Sequence, residues 1–168
     1  IDGNPFNKIN KDMNLAIRPK TTKAGIVFAD DEKTVALGVA LSTVANVRGF
    51  DYSQYDMIIF DEAIASEGER PIPKEFSAFL NFYETVNRNR ELEGKPAVKC
   101  IMLGNANTLI NPYFSAWHFM KTAVKMITGN QMVWRSADNT RMIILLLQSP
   151  ISERKRNTAL YQNANEDF

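Results

Sequence analysis

Met57-Ile58-Ile59-Phe60-Asp61-Glu62 runs four large apolar residues straight into two carboxylates. A continuous apolar run of this length reads as a strand buried on both faces, as in the parallel sheet of an α/β protein. Carboxylates at the end of such a strand are costly to desolvate unless they are paired or hold a metal. An ordinary exit from strand to loop gives the same pattern, so the neighbouring segments must separate the two readings.

The 168 residues suffice for one domain with a substantial core, and 45% hydrophobic with 23% charged residues is a globular balance. No apolar run approaches the roughly 18 residues of a membrane span, so no membrane association is expected. The N-terminus, Ile1-Asp2-Gly3-Asn4-Pro5, carries neither a signal-peptide pattern nor an initiator Met. Cys100 is the single cysteine and lies in an apolar run, which reads as a buried structural thiol in a reducing compartment. The one histidine, His118, is distant in sequence, which argues against a Cys–His nucleophile. A net charge of +1 predicts no general attraction for nucleic acid, so any such contact must be local.

Residues 1–24 form a basic, polar N-terminal segment with Lys8, Lys11, Arg18, Lys20 and Lys23. It reads as a solvated, partly mobile terminus, with a phosphate-contacting arm as the alternative. Gly25–Ala29 and Thr34–Leu41 flank a polar turn as a β-hairpin, and residues 42–55 form a polar connection. Residues 66–73, with Gly68, Pro71 and Pro73, are expected to be a loop. From Lys74, the spacing of Phe76, Phe79, Leu80, Tyr83 and Val86 predicts a helix to about Asn87. Val98–Leu103 reads as a second buried strand. A helix from Pro112 to about Met126, strands at Gln131–Arg135 and Met142–Leu147, and a helix at Ser152–Tyr161 complete an α/β layout with a partly parallel sheet.

If the two central strands are parallel neighbours, Asp61, Glu62 and Asn105 face the crevice where open α/β sheets bind ligands. An amide at Asn105 can then hydrogen-bond a phosphate or an attacking water, although Gly104–Asn107 also reads as a plain turn. At the end of the long helix, Arg88 and Arg90 are two residues apart and point in different directions, so at most one enters a given site. Such an Arg can neutralise charge on a phosphoryl group in a neighbouring subunit, or simply sit favourably at a helix C-terminus.

A wider pattern resembles a known family. Ile72-Pro-x-Glu75, Ser77-Ala78, Leu80-Asn81, Thr85-Val86-x-Arg88-Asn89-Arg90-Glu91, Cys100-Ile101, Asn105-Ala106 and Asn111-Pro112-Tyr113-Phe114 look like the DNA-encapsidation ATPases of small podoviruses. The resemblance begins at Leu41-Ser42, includes Phe60-Asp61-Glu62 and fades after Phe114. It implies an α/β P-loop NTPase fold, an ASCE/RecA-like three-layer sandwich, in a ring motor that drives viral double-stranded DNA into a prohead. It further implies that ATP and Mg²⁺ are bound, with Asp61 on Mg²⁺ in a Walker B motif and Glu62 as the catalytic carboxylate. Arg88 would be an arginine finger acting on the adjacent subunit, Asn105 a sensing amide, and Arg48 a basic residue engaging the nucleotide or neighbour. The implied partners are DNA backbone phosphates, the portal or prohead, a packaging RNA and further copies in a homo-oligomeric ring, in the host cytoplasm during virion assembly.

One departure stands out. Gly-x-x-x-x-Gly-Lys-Ser/Thr, whose backbone N–H groups and Lys hold the β- and γ-phosphates, occurs nowhere in the chain. The expectation is therefore a truncated ATPase domain lacking its N-terminal P-loop strand, inactive by itself. A different ring-forming DNA translocase or helicase is one alternative. A non-catalytic assembly or nucleic-acid-binding module on an ATPase scaffold is the other.

Overall fold

The computed structural model describes residues 5–23, 25–30, 33–47, 49–65, 72–105 and 108–146. The chain divides into two compact units, one within residues 1–63 and 69–103, the other within 64–68 and 104–168.

The first unit opens with helix α1 (Pro5–Met13) and strands β1 (Ile17–Thr22), β2 (Gly25–Asp30) and β3 (Lys33–Gly38). These strands form an antiparallel sheet in the order β1-β2-β3, so the expected hairpin is present. The described part of the basic N-terminal segment, residues 5–23, expected to belong to a partly mobile terminus, is instead structured. Its strand β1 pairs along its whole length with β2, from Ile17 opposite Asp30 to Thr22 opposite Gly25. Phe6 of α1 packs on Phe28 with ring centroids 5.0 Å apart. Asn10 completes the arrangement by donating to the Ile17 carbonyl (2.8 Å) and accepting the Ile17 N–H (2.9 Å).

A 3₁₀ helix at Leu41–Val47 leads to strand β4 (Met57–Phe60), helix α2 (Glu75–Asn87), a 3₁₀ turn at Arg90–Glu93 and strand β5 (Lys99–Met102). Strands β4 and β5 pair in parallel, Met57 opposite Lys99 through Phe60 opposite Met102. One face of β4 meets the core of Val44, Tyr52, Ile58, Val86 and Val98. Helix α2 covers it: Phe79 stacks on Phe60 at 5.6 Å, and the Tyr83 hydroxyl donates to the Val98 carbonyl at 2.8 Å. Phe82 packs against this core, whereas Leu80, expected on the same helix face, is exposed.

Three expectations about burial are overturned, one of them that of a second buried strand: in β5, Lys99, Cys100 and Ile101 are exposed and Met102 is half-buried. Strand β4 is buried on one face only, with Ile58 8% exposed and Ile59 63% exposed. Successive strand residues point to opposite faces, and α2 together with the 3₁₀ segment covers only the Ile58 side. Cys100, expected to be buried, is an exposed residue, although desolvation of its sulfur still pushes the thiol up to about 11.

The second unit contains α3 (Pro112–Ala116), α4 (Met120–Thr128) and an antiparallel hairpin of β6 (Val133–Arg135) and β7 (Met142–Ile144). The Asn111 side chain accepts the Phe114 N–H and Pro112 fills the first helical position, so α3 begins with a complete cap. The single helix expected from Pro112 to Met126 is broken, because His118 takes φ 58°. The break lets Phe119 and Trp134 close over Met126, Ile143 and Leu145. Residues 66–71 of the expected loop and the helix expected at Ser152–Tyr161 lie outside the described residues.

Candidate active site

The Asp61-Glu62 pair sits at the C-terminal end of β4 in a local interruption of the parallel ladder. Leu103 donates its N–H to the Phe60 carbonyl at 2.8 Å. In a regular parallel ladder, the Leu103 carbonyl would then accept from the residue two beyond Phe60, which is Glu62. It accepts instead from Ala63, also at 2.8 Å. One extra residue is therefore inserted opposite Leu103, the arrangement of a β-bulge. Glu62 makes the insertion by adopting φ 54°, a conformation uncommon for any residue other than glycine. Its N–H, released from the ladder, donates to Asp61 Oδ1 at 3.0 Å.

Both carboxylates are exposed, and Glu62 has no hydrogen bond or ion pair to its carboxylate among the described residues. Held by the Glu62 N–H at one oxygen, Asp61 keeps its second oxygen for a ligand. One or two carboxylates with water and substrate phosphates completing the shell is the donor set Mg²⁺ accepts, so the pair fits that ion. No group of three metal-ligating side chains forms among the described residues. The phosphate-binding motif Gly-x-x-x-x-Gly-Lys-Ser/Thr does not occur in the sequence. Asn105 is exposed, two residues beyond Leu103 in sequence, and belongs to the second unit. Arg48 lies outside the described residues.

The two arginines at the end of α2 part company. Arg90 is half-buried and turns inward: its Nε donates to the Pro96 carbonyl (3.1 Å), and its Nη1 to the carbonyls of Ser53 (3.2 Å) and Tyr55 (3.3 Å). Arg88 is exposed and its guanidinium makes no hydrogen bond or ion pair among the described residues. It acts electrostatically on Asp51, whose carboxyl is held below the usual range, chiefly by the Ser53 N–H and to a lesser extent by Arg88. Arg88 and Asn89 both adopt left-handed backbone, at φ 41° and 60°.

Arg88 stands at the opposite end of the sheet from the carboxylates. Asn87 accepts the Val98 N–H at 2.9 Å just before β5 begins, and Arg90 grips the chain just before β4. Asp61 follows the other end of β4, whose four residues span about 13 Å at a rise of ~3.3 Å each. The residues that sequence reasoning missed are Asn87, Arg90 as an internal staple, and the main chain of Leu103. Asn at positions 87 and 89 was the available signal, because its short amide tolerates left-handed backbone and bonds to nearby main chain.

The chain is similar over residues 3–137 to the family model described as podovirus DNA encapsidation protein (Gp16). It is 39% identical over 88 residues to the DNA packaging protein of Bacillus phage phi29, covering 52% of this chain and 25% of that protein. Against the DNA packaging protein of Bacillus phage B103 it is 37% identical over 114 residues, 67% of this chain and 33% of that protein. The chain thus spans about a quarter to a third of the length of these relatives. No solved structure matches it.

Proposed function

Because this chain belongs to the podovirus DNA encapsidation protein (Gp16) family, we propose that it forms part of an ATP-hydrolysing motor that packages viral double-stranded DNA. The parallel pairing of β4 and β5, with a strained acidic bulge at its C-terminal end, is the single observation that best supports this reading. Ligands of open α/β sheets bind at that end, and bulges there commonly re-aim functional side chains. In this reading the sheet is part of a P-loop NTPase fold of the ASCE/RecA-like kind.

Asp61 would hold Mg²⁺ through the oxygen left open by the Glu62 N–H. Magnesium would supply charge neutralisation on the transferring phosphoryl group. Glu62, whose carboxylate has no hydrogen bond or ion pair among the described residues, would orient and deprotonate water for in-line attack. Arg88 would act on the nucleotide of a neighbouring copy, since the length of β4 separates it from its own carboxylates by more than one arginine side chain can reach. A ring of copies follows from that division, each interface joining one subunit's Asp61 and Glu62 to the next subunit's Arg88. Asn105 would sense the phosphate, and Arg48 would engage the nucleotide or the adjacent copy. DNA would be held through its backbone phosphates, which suits a motor indifferent to sequence, with the prohead portal and a packaging RNA as further partners.

The test uses the full-length protein in assembled motors. Glu62→Gln is expected to abolish hydrolysis while leaving nucleotide binding intact; unchanged turnover would remove Glu62 from this role. Rings mixing Arg88→Ala with Glu62→Gln subunits are expected to regain activity, because some interfaces then pair intact carboxylates with an intact arginine. Absence of any recovery would argue against action in trans. Full stimulation of hydrolysis by DNA with no prohead present would favour a helicase or other translocase.

A further inference from the structure

We propose that Arg90, together with Asn87 and Glu91, is a positioning device that presents Arg88 to the neighbouring subunit. The inference rests on the finger reading of Arg88 and assigns a role to residues on either side of it. Arg88 and Asn89 carry two successive left-handed backbone conformations; Asn tolerates this backbone, but a long side chain such as that of Arg88 holds it where the surroundings enforce it. The enforcing contacts are visible on both sides. Before the turn, Asn87 is 5% exposed; its Oδ1 accepts the Val98 N–H at 2.9 Å and its Nδ2 donates to both Glu91 oxygens, at 3.0 and 2.9 Å. After the turn, Arg90 bonds three carbonyls, those of Ser53, Tyr55 and Pro96.

These contacts tie the turn to both strands at once. Ser53 and Tyr55 precede β4, while Pro96 and Val98 precede β5. Leu92 also donates its N–H to the Asn89 carbonyl at 2.9 Å, and Lys95 donates to that of Arg90 at 2.9 Å. The main chain of Arg88 is thereby held between two anchored residues, while its guanidinium makes no hydrogen bond or ion pair among the described residues. A planar guanidinium can reach several carbonyls together, which a lysine ammonium on a flexible stem does not reproduce. Spacing alone allowed either arginine to be the finger; the geometry points to a division of labour in which Arg90 holds and Arg88 reaches.

The mixed-ring assay on the full-length protein tests this. Arg90→Ala is expected to lower kcat by about 10²-fold, the scale of a catalytic group misplaced by about 1 Å, with KM for ATP unchanged. Mixed with Glu62→Gln subunits, Arg90→Ala is expected to recover turnover just as Arg88→Ala does, because its own carboxylates remain intact. A structural role alone would not give that directional recovery. Should Arg90→Ala fail to fold, Asn89→Val provides the same test, since a β-branched residue resists left-handed backbone. Asn89→Gly accepts that backbone without strain and is expected to lose far less activity than Asn89→Val. Equal losses for the Gly and Val variants, or Arg90→Ala without complementation, would overturn the proposal. Normal turnover by Arg88→Ala would sink the finger reading itself. Wild-type turnover by Arg90→Ala beside an inactive, complementable Arg88→Ala would leave the finger standing and remove the positioning role.

Discussion

The Asn87 side chain satisfies the Val98 N–H and is itself satisfied by Glu91, in a place where water has little access. Removing it leaves a buried N–H without its partner, which costs about 1–3 kcal/mol. Asn87→Ala is therefore expected to lower unfolding free energy by that amount in urea titration of the 168-residue chain. A loss within about 0.5 kcal/mol, typical of surface substitutions, would mean that Val98 finds another acceptor. The same scale separates what could be read from residue types and what could not. Asp61 and Glu62 announce themselves by following an apolar run. Nothing in the identity of Glu62 announces φ 54°, because that conformation is imposed by Leu103 bonding Phe60 on one side and Ala63 on the other. Cys100 was misread for a related reason: a thiol in an apolar run can be desolvated while its residue remains exposed.

At the scale of elements, local pattern located the hairpin, α2, β4 and β5 well, because α2 carries a helical repeat and the strands carry short apolar runs bounded by polar turns within their own length. It could not tell which face of β4 is covered. Ile58→Ala should cost about 2–5 kcal/mol, as for other buried aliphatic truncations, while Ile59→Ala should stay within about 0.5 kcal/mol. Chemical denaturation of the two variants checks the asymmetry, and comparable losses would show that both faces are buried. Strand β1 was missed because its charges read as solvation. Yet the edge it forms is guarded in a way that fits those residues: Asn10 takes both main-chain groups of Ile17, Pro19 has no N–H to offer, and Arg18 and Lys20 add charge. Such devices protect sheet edges from unwanted pairing. The break at His118 was equally invisible to periodicity, since the apolar spacing continues through it while the packing of Phe119 and Trp134 requires a turn.

At the scale of the whole molecule, the chemistry the chain can perform by itself is bounded by what it contains. Carboxylates without a phosphate-binding loop should not retain ATP, so the 168-residue chain alone is expected to show negligible ATP turnover. A steady-state assay giving robust hydrolysis would contradict the division of the site proposed here. Composition, the central succession of β4, α2 and β5, the acidic pair and the lack of a Gly-x-x-x-x-Gly-Lys-Ser/Thr motif were determined by the sequence itself, because each is a local pattern. Which arginine is free, which face of β4 is covered and how Glu62 is strained were decided only in the tertiary structure. Those outcomes depend on contacts such as Arg90 with Ser53 and Tyr55, 37 and 35 residues apart, and no local repeat encodes a hydrogen bond made across that distance.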